Sequence, residues 1–248
     1  MDSFPAIEID KVKAWDFRLI DENTAESLNV AYGVDSNYLD GVGVSITSIV
    51  INNRHVNLDF YIIADVYNDD FFQKVEKLAE QYQLRITLYR INTDNLQCLP
   101  CTQVWSRAMY FRLFAFQLLG VTLNRLLYLD ADVVCKGNIS QLLHLEFNGA
   151  VAAVVRDVDP MQEKAVVRLS DPELRGQYFN SGVVYLDLKK WTEAKLTEKA
   201  LSILMSKDSI YKYPDQDVMN VLLKGMTIFL PREFNTISVS YTHLRAHE

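Results

Sequence analysis

Apolar residues in this chain fall into short runs separated by stretches of helical periodicity, and that alternation sets the expected fold. Residues 28–34, 58–64, 84–90, 125–129, 150–155 and 183–188 are apolar over strand-like lengths, so each reads as a strand. Most are apolar throughout, as strands covered on both faces tend to be. Between them, Asn68 or Asp69 can cap a helix in which Phe71, Phe72, Val75, Leu78, Ala79 and Tyr82 recur at helical spacing. A second helix is expected from about Arg107 to Leu119, closing at Gly120, and a third from about Asp215 to Leu223, closing at Gly225. This strand–helix–strand order predicts an α/β fold: a Rossmann-like, mixed and mostly parallel sheet flanked by helices. Residues 1–27 are polar and weakly patterned, and read as an N-terminal leader that packs on the domain or stays mobile. Residues 28–237 then form one domain, without repeats or an obvious linker.

Composition narrows the function. At 248 residues and 49% hydrophobic content the chain can fill a full core without covalent staples. Its formal charge of −7 argues against nucleic acid as a partner, because phosphate-backbone binders need a basic surface. Acidic Asp2, Glu8 and Asp10 near the start are unlike a signal or transit peptide, and no apolar stretch is long enough to span a bilayer, so a cytoplasmic location is expected. Three cysteines do not suggest a disulfide framework. Cys98 and Cys101 have Cys-x-x-Cys spacing, but zinc needs two more ligands and only Cys135 and scattered histidines remain, so chance spacing is the better reading.

The sharpest chemical signal is Leu126-Leu127-Tyr128-Leu129-Asp130-Ala131-Asp132, a buried strand ending in two carboxylates. In extended chain, residues i and i+2 point the same way, so both acids would converge on one hard cation, Mn²⁺ or Mg²⁺, at the carboxyl edge of the sheet. Such an ion neutralises charge on a departing diphosphate. The same pattern also fits a solvated strand end, or the nucleophilic Asp of a haloacid dehalogenase-like phosphohydrolase, which would use Asp130. That fold, however, places its motif in the first strand. Farther on, Tyr178-Phe179-Asn180-Ser181-Gly182 and Pro214-Asp215-Gln216-Asp217 set small polar groups around an apolar strand, where turn and cap roles compete with sugar binding. Near the front, residues 30–38 end a strand in a polar loop with an aromatic side chain, able to read a base edge. Gly41-x-Gly43 lacks the third glycine of a phosphate-binding fingerprint, so metal and side chains must hold any nucleotide.

Together these blocks, with Tyr110-Phe111-Arg112-Leu113, resemble glycosyltransferase family 8 over roughly residues 28–237, and within it the enzymes that add glucose or galactose to the lipopolysaccharide core of Gram-negative bacteria. The resemblance implies a GT-A type fold and a donor of UDP-glucose or UDP-galactose. It makes Asp130 and Asp132 the metal pair, and Ala31, Asp35, Asn37 and Tyr38 the uridine pocket, with Tyr38 stacking on the base. Arg112 would touch donor sugar and phosphate. Asn180, Asp215 and Gln216 would fix sugar hydroxyls, with Gln216 near the anomeric carbon and Asp217 the nearest other carboxylate. Family members retain anomeric configuration; same-face attack and a transient adduct on Gln216 or Asp217 both stay open. The acceptor would be lipopolysaccharide core, with peripheral contact at the inner membrane.

One departure stands out. The family's third metal ligand is a His in a C-terminal His…Lys-Pro-Trp block, which is not found here, and the context of His243 and His247 is unlike it. Residues 238–248 are therefore expected to be an atypical or truncated tail, with weak donor binding and poor turnover. A sugar-nucleotide-binding remnant without catalysis is the corresponding alternative.

Overall fold

The computed structural model describes residues 7–18, 26–101, 106–206 and 211–237. The tail at 238–248, with His243 and His247, lies outside them, so the expectation about it stays as it was.

Among the described residues the elements run β1 (Ile9–Asp16), β2 (Leu28–Val34), α1 (Leu39–Asn52), β3 (Leu58–Ala64), α2 (Asp69–Tyr82), β4 (Arg85–Ile91), α3 (Phe111–Leu119), β5 (Arg125–Leu129), β6 (Ala152–Arg156), α4 (Asp159–Leu169), β7 (Phe179–Asp187), α5 (Leu188–Glu193), α6 (Leu196–Leu204), α7 (Pro214–Leu222) and β8 (Thr227–Phe229). They build one eight-stranded sheet in the order β1-β4-β3-β2-β5-β7-β6-β8. β4, β3, β2 and β5 are mutually parallel, β7 runs antiparallel to β5 and β6, and β1 runs antiparallel to β4. The Rossmann-like, mixed and mostly parallel architecture is thus present.

Alternation along the strands sends side chains into two cores. Val30, Tyr32 and Val34 of β2, with Leu127 and Leu129 of β5, join the layer under α1 and α2. Ala31, Leu126 and Tyr128 face the other way, onto α3 and the α5–α7 layer. At α2, Asn68 accepts from the Phe71 backbone N–H at 2.7 Å, the expected cap. α3 is buried on all sides, from Phe111 to Phe116, so it displays no polar stripe and carries Arg112 into the interior. It begins against the end of β2, where Gly33 donates its N–H to the Tyr128 hydroxyl at 3.1 Å. A Cβ on Gly33 would fall 2.8 Å from both the Phe111 Cβ and that hydroxyl, so the approach requires glycine.

Three expectations need correcting. The stretch read as a leader packing on the domain or mobile contains β1, a mostly exposed, charge-rich edge strand paired with β4, of which Trp15 alone is buried; its polarity hid it as a strand. The third helix starts one residue early, with Pro214 in its first turn, which is compatible with the missing N–H there. β7 begins at Phe179 instead of 183, because the polar Asn180-Ser181-Gly182 segment is part of the strand. There β7 bulges: one step on β6, Val154 to Val155, spans Val184 to Asn180 on β7.

Candidate active site

β2 pairs with β3 on one side and β5 on the other, so connections leave this pair in opposite directions. A crevice opens at the carboxyl ends of such strands, which is where open α/β sheets bind ligands. Residues 35–38 follow β2 into it and residues 130–132 follow β5. Because β7 is antiparallel to β5, its opening residues lie beside the same edge, with the Asp130 N–H donating to the Gly182 carbonyl at 2.9 Å.

Asp130 and Asp132 do not sit in extended chain. β5 stops at Leu129, and the Val133 N–H closes a turn on the Asp130 carbonyl at 3.1 Å. The turn, not strand alternation, brings the acids together. Asp132 is exposed, and the Asp130 side chain keeps 38% of its area open. One Asp130 oxygen accepts from Arg112 at 2.7 Å. The other looks over Gly182, where an added Cβ would come within 3.1 Å of it and 3.0 Å of the Asn180 carbonyl oxygen. Crowding by protein pushes the Asp130 pKa up to about 6; Arg112 pulls it down, while Asp215 and Asp132 push it further up. An Asp130 oxygen not held by Arg112, beside the exposed Asp132 carboxylate, is a pair of hard donors that suits a divalent cation. Among the described residues no group of three or more His, Cys, Asp or Glu side chains gathers that could hold a metal ion, so Asp130 and Asp132 offer two carboxylates and no third ligand of these types.

Arg112 is only 4% exposed, and it braces the site from below. Its guanidinium meets Asp130 at 2.7 Å, Asp215 at 3.1 Å, the Ser181 carbonyl at 2.8 Å and the Met109 carbonyl at 3.1 Å, with the Tyr128 ring 4.9 Å away. These neighbouring negative groups raise its pKa against the opposing effect of burial. Expected to touch the donor, it also fixes both carboxylates beside which a donor would lie.

The α7 residues are similarly engaged. The Gln216 carbonyl accepts from the Ser181 N–H at 3.0 Å, and its amide donates to Asp157 at 3.1 Å and the Tyr178 hydroxyl at 3.0 Å. The Ser181 hydroxyl lies 3.4 Å from both Asp215 and Gln216. Asp217 is fully buried, and both its oxygens are taken: one by Arg168 and Tyr178 at 2.6 Å each, the other by Arg168 at 3.2 Å and the Tyr213 N–H at 3.1 Å. It sits behind Gln216 as an anchor of α7. Asn220 completes the join, exchanging hydrogen bonds with the Phe179 backbone at 2.7 and 2.9 Å. The bulge in β7, which carries Asn180, is thus stitched to α7, which carries Asp215 and Gln216.

In the front loop, Asp35 accepts from the Asn37 N–H at 3.0 Å and from the Ser106 hydroxyl at 2.8 Å. Asn37 is exposed and Tyr38 is 57% exposed, free to lie on a ring. Ala31 is fully buried within β2, below the crevice surface. Sequence reasoning did not find Asp157 or Arg168, and it gave Ser181 no role beyond its place in the Asn180-Ser181-Gly182 segment; all three gain meaning only through contacts across 34 to 59 positions. Cys98 and Cys101 are exposed, and the Cys98 thiol donates to the Asn95 carbonyl at 3.1 Å.

The glycosyl transferase family 8 model matches residues 29–248. The chain is 86% identical over 245 residues to a lipopolysaccharide 1,2-glucosyltransferase of Escherichia coli (strain K12), covering 99% of this chain and 72% of that protein. It is 35% identical over 231 residues to a lipopolysaccharide 1,3-galactosyltransferase of Salmonella typhimurium (strain LT2), covering 91% and 68%. Its fold is similar to the galactosyltransferase LgtC in complex with donor and acceptor sugar analogs, with a TM-score of 0.73 and 22% identity over 89% of this chain and 80% of that one. The phosphohydrolase alternative falls with these matches, and this chain belongs to glycosyl transferase family 8.

Proposed function

We propose that the chain transfers glucose from UDP-glucose to a hydroxyl of the lipopolysaccharide core, with retention of configuration. The observation that carries this reading is the Asp130 carboxylate, held at one oxygen by Arg112 and open at the other, beside Asp132 at the switch point of the sheet. Mn²⁺ or Mg²⁺ held by Asp130 and Asp132 would neutralise charge on the departing UDP. The protein's own groups do the rest. Tyr38 offers a ring for the uracil and Asn37 an amide for its edge, while Asp35, tied to Ser106, shapes the loop. Asn180 and Asp215 bind hexose hydroxyls. Gln216, locked by three neighbours, presents a fixed neutral carbonyl near the anomeric carbon, where positive charge develops in the transition state. Asp217 holds α7 in place instead of attacking, since both its oxygens are committed.

Glucose is preferred to galactose as the donor because the 86%-identical relative is named a 1,2-glucosyltransferase. The lipopolysaccharide core is the proposed acceptor because the same relative is named for lipopolysaccharide, and a peripheral position at the inner membrane's cytoplasmic face is proposed with it; no helix among the described residues is long and apolar enough to cross a membrane. A donor screen with UDP-glucose and UDP-galactose, a core acceptor and mass detection tests this. An added hexose and released UDP from UDP-glucose are expected. Donor binding without UDP release would leave the non-catalytic remnant in its place.

A further inference from the structure

Asn180 stands at the β7 bulge, and the orientation of its side-chain amide decides what it offers a ligand. Its carbonyl oxygen accepts from the Gly182 backbone N–H at 2.9 Å, which fixes that atom as oxygen, since a backbone N–H cannot pair with an NH₂. The same oxygen is 2.8 Å from the Asn235 side-chain nitrogen. Asn235 must therefore be the donor, and its own amide orientation is fixed in turn. The Asn180 NH₂ has no partner among the described residues, and the side chain is only half-buried, so both hydrogens remain for a ligand.

Asn235 comes from far along the chain. It follows β8 in a turn closed by the Phe234 N–H on the Pro231 carbonyl at 3.1 Å and its own N–H on Arg232 at 3.1 Å. The turn is fastened to β6 by the Leu230 N–H on Val154 at 2.8 Å and by Arg232 on the Arg156 carbonyl at 2.5 Å. A rigid segment beyond the last strand thus reaches across the bulge to one atom of a residue beside Asp130.

We propose that Asn235 is a positioning residue for donor recognition: by donating to the Asn180 carbonyl it holds that amide with its NH₂ turned toward the hexose, where it donates to a hydroxyl. This rests on the UDP-hexose reading above. Asn235→Asp puts acceptor oxygens against the Asn180 carbonyl, so the amide reverses and gives up the Gly182 N–H. UDP-glucose affinity should then fall roughly tenfold, the value of one hydrogen bond to a group left unpaired, while affinity for UDP alone stays within about twofold. Asn235→Ala keeps the Gly182 contact and should cost UDP-glucose binding about threefold.

The test is calorimetric binding of UDP and of UDP-glucose, with Mn²⁺, to wild type, Asn235→Asp, Asn235→Ala, and each variant combined with Asn180→Ala. In the Asn180→Ala background both changes at 235 should have no further effect beyond about twofold, because the group they orient is gone. If either 235 variant still weakens UDP-glucose without Asn180, or weakens UDP equally, Asn235 acts through charge or general structure and the proposal is overturned. Should Asn235→Asp fail to fold, the Asn235→Ala cycle decides alone. Unchanged UDP-glucose affinity in the 235 variants overturns the Asn235 role only, whereas wild type that binds no UDP-hexose overturns the donor reading and this inference with it.

Discussion

Replacing Arg112 with Met removes the brace beneath the site while keeping its length and most of its apolar contacts. The guanidinium serves two carboxylates, of which Asp215 has 11% of its side chain exposed and Asp130 38%. Removing one partner of a fully buried ion pair costs about 3–5 kcal/mol. Asp130 can rehydrate, so its share must be discounted, leaving Asp215 as the main term. The Ser181 and Met109 carbonyls also lose their donor, at about 1 kcal/mol each. A total near 4 kcal/mol corresponds, at about 2–4 °C per kcal/mol for a chain of this size, to a melting midpoint lower by roughly 8–16 °C. Arg112 also pulls the Asp130 pKa down, so its loss raises that value above about 6 and leaves more of the carboxyl protonated at neutral pH. Metal-dependent UDP binding should therefore weaken more at pH 7 than at pH 8.5. Thermal unfolding followed by circular dichroism, with UDP calorimetry at the two pH values, checks both parts. A midpoint within 2 °C of wild type, with an unchanged pH dependence of binding, would refute the brace.

Other outcomes follow from the same geometry. Gly182→Ala, whose Cβ would crowd Asp130 and Asn180 at 3.1 and 3.0 Å, should weaken metal-dependent UDP binding about tenfold while changing the melting midpoint little; equal affinity would mean that the space above Asp130 is not used. Asp217→Asn, by loosening Arg168, Tyr178 and α7, should cost about 3 kcal/mol in a denaturant titration, and a fall in turnover without loss of stability would instead favour a chemical role. Burial raises the pKa of Asp59 and Asp157, and crowding raises that of Asp130 to about 6, from an ordinary 3.8. The folded state therefore takes up protons before the unfolded one does, so metal-free protein should gain stability as pH falls from 7.5 through 6 toward 5. A midpoint that declines steadily over that range would contradict the assignment.

The apolar runs made β2, β3 and β5 legible to the residue, because parallel strands covered on both faces are apolar over most of their length and polar only near their first residues. β1 escaped because an edge strand needs few buried residues, and its register with β4 is set by backbone pairing that leaves little trace in sequence. In the site, Asp130 and Asp132 were visible as an abrupt change of polarity, and their neighbours by family likeness. What no local pattern carries is how those groups are used. Arg112, expected at the donor, also bonds Asp130 and Asp215; Asp217, expected only as the nearest other carboxylate, bonds Arg168 and Tyr178. Such commitments depend on which distant residues the sheet brings together, as Asp157 and Gln216 are joined across 59 positions.

The most direct measurement is calorimetric titration of UDP into protein with and without Mn²⁺, for wild type and for Asp130→Ala and Asp132→Ala. Wild type should bind UDP tightly only when Mn²⁺ is present, and both variants should lose that metal-dependent part while remaining folded. Equal UDP affinity in all three proteins, or no effect of the metal on wild type, would contradict a cation held between Asp130 and Asp132.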